Sequence, residues 1–137
     1  MRYLLLFSLL FSFSFAEITM VKDTSTKLLW EDTPHVREAK ITQVRAKAYC
    51  SELTLGEFND WRLPTIQELL TIIDYRRTSP ALMKAFNYVE DESFYWSQTV
   101  VADESDAFWG VNFKRGASSK ASEYYDRYVR CVRTDKQ

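Results

Sequence analysis

Two cysteines, Cys50 and Cys131, limit the possible folds of this chain more than any other feature, because they are its whole complement of thiols. A bond between them would tie the middle of the chain to its C-terminal end. Small exported proteins with an even number of cysteines usually form such bonds, whereas cytosolic proteins keep their thiols reduced. We therefore expect a disulfide if the chain is exported. Two buried free thiols are the alternative.

The first sixteen residues have the pattern of a secretory signal peptide. Arg2 is positively charged, residues 4–15 carry no charge, and residues 14–16 form a small-x-small cleavage site before Glu17. The apolar run is shorter than the roughly 18 residues that a membrane-spanning helix needs. We expect an exported protein, periplasmic or secreted, with a signal peptide at residues 1–16, a single domain at residues 17–137 and no transmembrane segment.

Composition excludes several classes of function. The formal net charge of −1 lacks the basic excess that nucleic-acid binding usually needs, so we expect no nucleic-acid partner. Three glycines are too few for a glycine-rich phosphate-binding loop. A catalytic triad would have to use His35, the one histidine, which follows a proline in a predicted turn and is expected to be a solvated loop residue. We therefore expect no catalytic residues and no enzymatic activity.

Apolar periodicity predicts an α+β fold in which two helices precede a small antiparallel sheet. A short strand at residues 28–30 leads to a first helix over about residues 40–53. A second helix over residues 65–75 begins with Thr65 and Glu68, which have the spacing of a capping box.

The C-terminal part of the chain is rich in aromatic and β-branched residues, which favour strands. We predict strands at residues 94–101, 107–113 and 124–133, the first two forming a hairpin with an acidic tip. Residues 78–93 are predicted to be a loop and residues 114–123 a polar connection.

Landmark residues along nearly the whole exported chain resemble those of one known family. In order, they are Thr26, Leu28, Trp30, Ala48, Tyr49, Cys50, Gly56, Asp60, Trp61, Arg62, Leu63, Pro64, Thr65, Glu68, Leu69, Tyr95, Trp96, Ser97, Trp109, Val111, Phe113, Gly116, Val129, Arg130, Cys131, Val132 and Arg133. The pattern resembles the Lcl C-terminal domain family, named after a bacterial collagen-like adhesin, whose fold is similar to that of C-type lectins. Two positions depart from it: Lys27 replaces a common glycine, and Gln98 replaces the second of two serines.

The resemblance implies a C-type-lectin-like domain in which a helix cysteine, Cys50, is bridged to a terminal-strand cysteine, Cys131. It also implies a binding or adhesion function. This chain contains no collagen-like module, so the architecture of the whole adhesin is not implied.

C-type lectins bind sugars through calcium, which takes about six to eight oxygen ligands. The candidate oxygen donors here are Glu90, Asp91, Glu92, Asp103, Glu104, Asp106 and Asn112. They match neither an EF-hand spacing nor the Glu-Pro-Asn type of motif in sugar-binding lectins. We therefore expect solvated acidic loops, no metal site and no cofactor, although calcium is the one cofactor that the resemblance raises.

Strand alternation separates the core residues of the hairpin from its candidate ligand-binding residues. Trp109 shares one face with Val111 and Phe113, and this face is predicted to lie in the core. Phe108 and Asn112 point the other way. Together with Asp103 and Asp106 at the acidic tip, they are the predicted ligand-binding residues.

Arg62 and Arg130 lie between apolar residues, so we expect each to form a structural ion pair, for instance with Asp60 or Glu68. The alternative is an anion site for sulfated glycans. Its candidate residues are Arg76, Arg77, Lys84, Lys114, Arg115 and Lys120.

The sequence thus predicts an exported, non-catalytic binding or adhesion module of the bacterial envelope, whose partner is a glycan or a protein surface. One alternative is an enzyme on the same fold, such as the formylglycine-generating oxidases, whose copper site uses paired cysteines. The other alternative is a structural subunit of an envelope assembly. The sequence gives no indication of the oligomeric state.

Overall fold

The computed structural model describes residues 10–12, 17–90 and 92–136. Most of the predicted signal peptide, namely residues 1–9 and 13–16, and one acidic candidate, Asp91, lie outside the described residues. Within the described ranges, no helix is long and apolar enough to cross a membrane.

The described residues form three short helices and eight strands. In chain order these are β1 (Met20–Asp23), β2 (Leu28–Glu31), α1 (His35–Glu38), β3 (Lys40–Ile41), α2 (Gln43–Glu52), α3 (Ile66–Thr71), β4 (Phe94–Val101), β5 (Glu104–Asn112), β6 (Ala117–Ser122), β7 (Arg127–Tyr128) and β8 (Val132–Thr134).

The strands form two sheets. In the smaller sheet, β2 lies in the centre and pairs antiparallel with β1 and β8. The larger sheet has the order β3-β7-β4-β5-β6, in which β4 pairs parallel with β7 and all other neighbours are antiparallel. The predicted mixture of helices and mainly antiparallel strands is therefore confirmed, but the prediction of one antiparallel sheet is wrong.

Both predicted helices exist but are shorter than their apolar patterns. The first begins at Gln43, because Lys40 and Ile41 pair with β7 as a separate strand. The second ends at Thr71, and Ile73 forms an isolated bridge with Leu82 instead of continuing the helix. Burial of Ile72 and Ile73 explains the apolar pattern that continues past the helix end.

Two predictions about the C-terminal strands are wrong in detail. The predicted connection at 114–123 contains β6, a six-residue strand paired along its whole length with β5. The predicted strand at 124–133 is divided into β7 and β8, which belong to different sheets. The segment before residue 28, for which no regular structure is predicted, contains β1.

The core consists of two clusters. The first lies around Trp30 and Tyr95, and the second lies around Trp96 and the two cysteines. The core face predicted for residues 107–113 is confirmed for Val111 of β5 and for Phe113, which directly follows β5, since both are fully buried. Trp109 is half-buried at the edge of the first cluster.

The predicted disulfide is present. The sulfur atoms of Cys50 and Cys131 are 2.11 Å apart, and both side chains are fully buried. Cys50 lies in the last turns of α2, and Cys131 comes directly before β8. The bond therefore attaches the longest helix to the strand that completes the smaller sheet.

Arg62 pairs with Glu68, one of its two predicted partners. Its Nη1 and Nη2 donate to the two carboxylate oxygens at 2.6 and 2.8 Å. Glu68 also completes the predicted capping box with Thr65 at the start of α3. The Glu68 carboxylate therefore binds both the N-terminus of α3 and the Arg62 guanidinium of the preceding loop. The Arg62 backbone in turn forms a bridge with Val132 of β8.

Asp60, the other predicted partner, binds Arg133. The Arg133 Nε and Nη2 donate to the Asp60 carboxylate at 2.6 and 3.1 Å. The Arg133 guanidinium also lies over the ring of Phe58, 3.7 Å from its centroid. The loop before α3 is thus attached to β8 by side chains as well as by backbone.

Replacement of a disulfide cysteine is expected to destabilise the protein. The bond spans a sequence separation of 81, and removal of a native disulfide from a small exported domain costs about 2–5 kcal/mol. We expect Cys131→Ser to lower the melting temperature under oxidising conditions. Reductant should produce a similar loss in the unchanged protein and little further loss in the variant. Equal melting of the variant and the unchanged protein would refute a stabilising bond.

Loss of the Glu68 charge is expected to have a pH-dependent effect. Burial alone would raise the pKa of Glu68, but hydrogen bonds from Arg62 and Thr65 hold it below its usual value of 4.5. A carboxyl group with a lowered folded pKa stabilises the protein above its unfolded pKa, and this contribution disappears as the pH falls through the folded value.

Glu68→Gln should therefore lower the free energy of unfolding by about 1–3 kcal/mol at neutral pH. The difference from the unchanged protein should shrink when melts are repeated below the unfolded pKa of about 4.5. Glu52→Gln, at an exposed position of α2, is the matched control and should have little effect. A deficit that is the same at every pH would contradict the assigned ion pair.

Candidate functional site

A buried ion pair holds the long loop between α3 and β4. Arg130 and Asp32 are both fully buried, and Nη1 of Arg130 donates to Oδ1 of Asp32 at 3.2 Å. Asp32 also accepts hydrogen bonds from the backbone N–H groups of Asn87 and Tyr88, at 2.9 and 3.1 Å. Arg130 in turn donates to the carbonyl oxygens of Glu31 and Tyr88. Arg130 thus forms an ion pair, as the sequence predicts, but its partner Asp32 was not predicted.

Tyr95 fixes the same loop from the side of the larger sheet. Its hydroxyl donates to the Val36 carbonyl oxygen at 2.5 Å and accepts from the Glu90 backbone at 2.8 Å. Burial raises the pKa of Tyr95 to about 12. The hydroxyl therefore stays protonated and keeps both hydrogen bonds at physiological pH.

His35 is not the solvated loop residue that the sequence predicts. It begins α1, is half-buried, and stacks on Tyr49 with ring centroids 4.3 Å apart. The Tyr49 hydroxyl donates to the buried carboxylate of Glu31 at 2.7 Å. Burial, together with the Glu31 charge, raises the pKa of Tyr49 far above its usual value. The stacking and this hydrogen bond give both rings a structural role between α1, α2 and β2.

The four predicted ligand-binding residues all lie along the β4–β5–β6 part of the larger sheet. Asp103 occupies the tip of the β4–β5 hairpin with a φ of 63°, and Asp106 is exposed on β5. Phe108 is half-buried against the second core cluster, so only part of its ring faces solvent. Asn112 accepts a hydrogen bond from the Lys114 backbone at 2.7 Å and stabilises the β5–β6 turn. They do not converge on one point.

Asp106 lies in the cleft that we call the tyrosine cleft, whereas Asp103 and Asn112 line two other depressions. The cleft has a volume of about 370 Å³, and the strands β5, β6 and β7 contribute most of its walls. Its lining residues are Glu104, Asp106, Ala107, Lys120, Ala121, Ser122, Tyr125 and Arg127.

Tyr125, which lines this cleft, and its chain neighbour Tyr124 are both exposed. Tyr124 and Tyr125 expose 73% and 59% of their surface, and the Arg127 guanidinium lies over the Tyr125 ring, 5.3 Å from its centroid. A hydrogen bond to Glu123 and the charges of Glu123 and Asp106 raise the pKa of Tyr124. An exposed aromatic face thus lies beside carboxylate, hydroxyl and guanidinium groups.

Tyr124 and Tyr125 are not among the predicted ligand-binding residues, because residues 124–133 were predicted to form one strand. Two adjacent residues of a strand point to opposite faces, so two consecutive tyrosines next to Glu123 and Asp126 could not both enter the core. That local pattern was a usable sign of exposure.

The acidic candidates that the structure describes, which leave out Asp91, are dispersed or paired with lysines. In the described part of the chain, no group of three or more histidine, cysteine, aspartate or glutamate side chains has metal-binding geometry. Glu104 pairs with Lys120, and Glu92 lies 3.2 Å from the Lys114 ammonium.

The basic candidates for an anion site are dispersed and partly neutralised. The Arg76 Nε lies 2.9 Å from the Asp74 carboxylate, and Lys114 and Lys120 have the partners just described. The Thr78 hydroxyl donates to the Lys114 carbonyl oxygen at 3.0 Å, which brings the segment after α3 to the β5–β6 turn. Arg77 and Arg115 are exposed on these two neighbouring segments.

Comparison with known proteins gives one family match. No curated protein matches the chain. The model of the Lcl C-terminal domain matches residues 19–133, which include all the strands and helices described above except the end of β8. The chain therefore belongs to the Lcl C-terminal domain family.

Proposed function

We propose that this chain is an exported, non-catalytic adhesion module that binds carbohydrate in the tyrosine cleft. Its family indicates an adhesin-like domain. The observation that carries the finer assignment is the exposure of Tyr124 and Tyr125 beside a cleft with polar walls.

The chemistry of the cleft suits a sugar ring. Tyr125 offers a flat apolar face on which the C–H bonds of a pyranose can stack, and its polar end stays in water. Asp106 and Ser122 provide hydroxyl acceptors, while Arg127 provides donors. Ligand sites commonly combine apolar surface with a few polar groups in this way.

The cleft is built on strands, which favours a preformed site. Its walls come from β5 and β6 and from the start of β7, and the Gln43 backbone of α2 donates to the Glu123 carbonyl oxygen at 3.2 Å.

Pairing of β2 with β8 places the two ends of the described domain in one sheet, which supports our assignment of a C-type-lectin-like fold.

Binding without calcium is part of the proposal. Glu104 and Asp106 are the two carboxylates that line the cleft, and Glu104 already pairs with Lys120. Calcium takes about six to eight oxygen ligands. A direct contact between sugar and protein therefore fits these walls better than a contact through a metal ion.

The Cys50–Cys131 disulfide supports a module without oxidase chemistry. The copper site of the formylglycine-generating oxidases uses paired cysteines, whereas both thiols of this chain are consumed in one fully buried bond. The same bond supports export, because disulfides persist mainly in oxidising compartments.

Export can be tested on the N-terminus of the mature protein. We expect mass spectrometry of protein from the periplasm or the medium to find Glu17 as the first residue, because Ala16 ends the small-x-small cleavage site. Protein that remains in the cytoplasm with Met1 and reduced thiols would contradict the prediction.

Carbohydrate recognition can be tested with a printed array of bacterial and animal glycans. Tyr125→Ala should reduce binding about twofold to tenfold, because an aromatic contact contributes roughly 0.5–1.5 kcal/mol. Tyr75→Ala is the matched control, since Tyr75 is 72% exposed and does not line the cleft.

Chelation of calcium should leave the glycan signal unchanged. No glycan binding at micromolar protein would refute carbohydrate recognition. Equal losses in Tyr125→Ala and Tyr75→Ala would place the binding surface elsewhere.

A further inference from the structure

Strand β6 forms one edge of the larger sheet and has an open side. It pairs with β5 over all six residues, and no other described strand pairs with it. Residues 117–120 are exposed. The unpaired backbone groups of such an edge are a template for another strand unless the side chains prevent it.

The side chains of β6 offer little protection against pairing. Five of the six are alanine or serine, which leave the backbone accessible. The exception is Lys120, the type of residue that usually protects an edge. Its ammonium is directed to Glu104 of the adjacent strand in the same chain.

Charges of opposite sign lie at the two ends of β6. Lys114 and Arg115 are exposed in the turn before it. The Lys114 ammonium lies 3.2 Å from the exposed Glu92 carboxylate, whereas Arg115 makes no ion pair within the described ranges. At the other end, Glu123 follows β6, and its backbone N–H donates to the carbonyl oxygen of Asp106 on the adjacent strand β5 at 2.7 Å. Arg115 therefore leaves a basic charge before Ala117, and Glu123, with Asp106 behind it on β5, makes the end after Ser122 acidic.

We propose that a second copy of this chain pairs with β6 in the antiparallel sense and forms a symmetric dimer. A two-fold axis perpendicular to the sheet reverses the strand direction, so the basic end of each β6 meets the acidic end of the other. The surface is thus complementary to itself, as a two-fold interface requires. Complementary charge also favours this partner over an arbitrary extended segment.

Geometry restricts the register. A two-fold axis perpendicular to the sheet keeps each side chain on its own face of the sheet. Because side chains alternate between the two faces along a strand, odd-numbered residues of one β6 must lie opposite odd-numbered residues of the other. Pairing centred on Ser119 places Ala117 opposite Ala121 of the partner subunit. Pairing centred on Lys120 would bring two ammonium groups together. The register centred on Ser119 is therefore preferred.

In this register, Lys114 and Arg115 lie beside the 122–124 segment of the second copy, close to its acidic end. The contact occurs twice in the dimer. Each β6 is consumed by the other, so association through this edge stops at two copies. One sheet then continues through both copies.

The test reverses the charges at one end of β6 or the other in the mature chain and measures self-association. No glycan is present, so the result is independent of the proposed carbohydrate function. One variant carries Lys114→Glu and Arg115→Glu, which makes both ends of β6 acidic. The other carries Asp106→Lys and Glu123→Lys, which makes both ends basic. Arg45→Glu with Lys47→Glu, on the exposed side of α2, is the control.

Small interfaces dissociate at protein concentrations between about 10 μM and 1 mM. In this range, we expect sedimentation equilibrium to show a monomer–dimer equilibrium for the unchanged protein and the control. Each reversed variant alone should associate at least about tenfold more weakly. An equimolar mixture of the two should regain dimers. Circular dichroism checks that both variants are folded.

A monomeric wild-type protein throughout this range would overturn the proposal. So would dimers that persist in each reversed variant, since they would use another surface. A folded mixture that fails to associate would also overturn it, because restored complementarity is the specific consequence of antiparallel β6 pairing.

Discussion

The buried pair between Asp32 and Arg130 is the interaction on which most of the structure depends. Two charges removed from water are costly unless hydrogen bonds compensate them, and here both Nη atoms of Arg130 have partners while its buried Nε has none among the described residues. Here the partners come from the end of β2, the long loop and the segment before β8. The pair thus holds the Asn87–Tyr88 part of the irregular loop, which Tyr95 and backbone hydrogen bonds to residues 72, 113 and 114 hold elsewhere.

The covalent constraint lies next to the ionic one. Cys131 follows Arg130 directly, and its backbone N–H donates to the buried Glu31 carboxylate at 3.3 Å. Cys131 therefore attaches α2 through the disulfide, and its neighbour Arg130 attaches the long loop through hydrogen bonds and the ion pair with Asp32. Glu31 and Asp32 are likewise consecutive. Glu31 accepts the hydrogen bond from the Cys131 backbone, and Asp32 forms the ion pair with Arg130.

Features with a local chemical signature could be predicted from the sequence. The Thr65–Glu68 capping box, the Arg62–Glu68 pair and the disulfide depend on spacing or on residue count, and all three are present. The partner of Arg130 lies 98 residues away in sequence, and no local pattern connects them. Strand β6 was missed because its alanines and serines resemble a polar loop, while pairing with β5 makes it a strand.

The candidate site was less predictable than the fold, because the tyrosine cleft combines three strands. Asp106 was predicted from its place at an acidic hairpin tip, and it lines the cleft. Tyr125 and Arg127 join it only because the chain breaks its strand after residue 122 and enters β7 beside β4. Phe108 was predicted to face a ligand, yet the second core cluster covers part of its ring.

The central position of β2 also affects the order in which the chain can fold. Its neighbours are β1, only a few residues earlier, and β8, which ends at Thr134. The smaller sheet therefore stays incomplete until β8 is available, and such distant pairings form slowly. The β1–β2 hairpin can form from neighbouring residues alone, whereas the third strand joins it only after the residues of both core clusters and of the larger sheet have been synthesised.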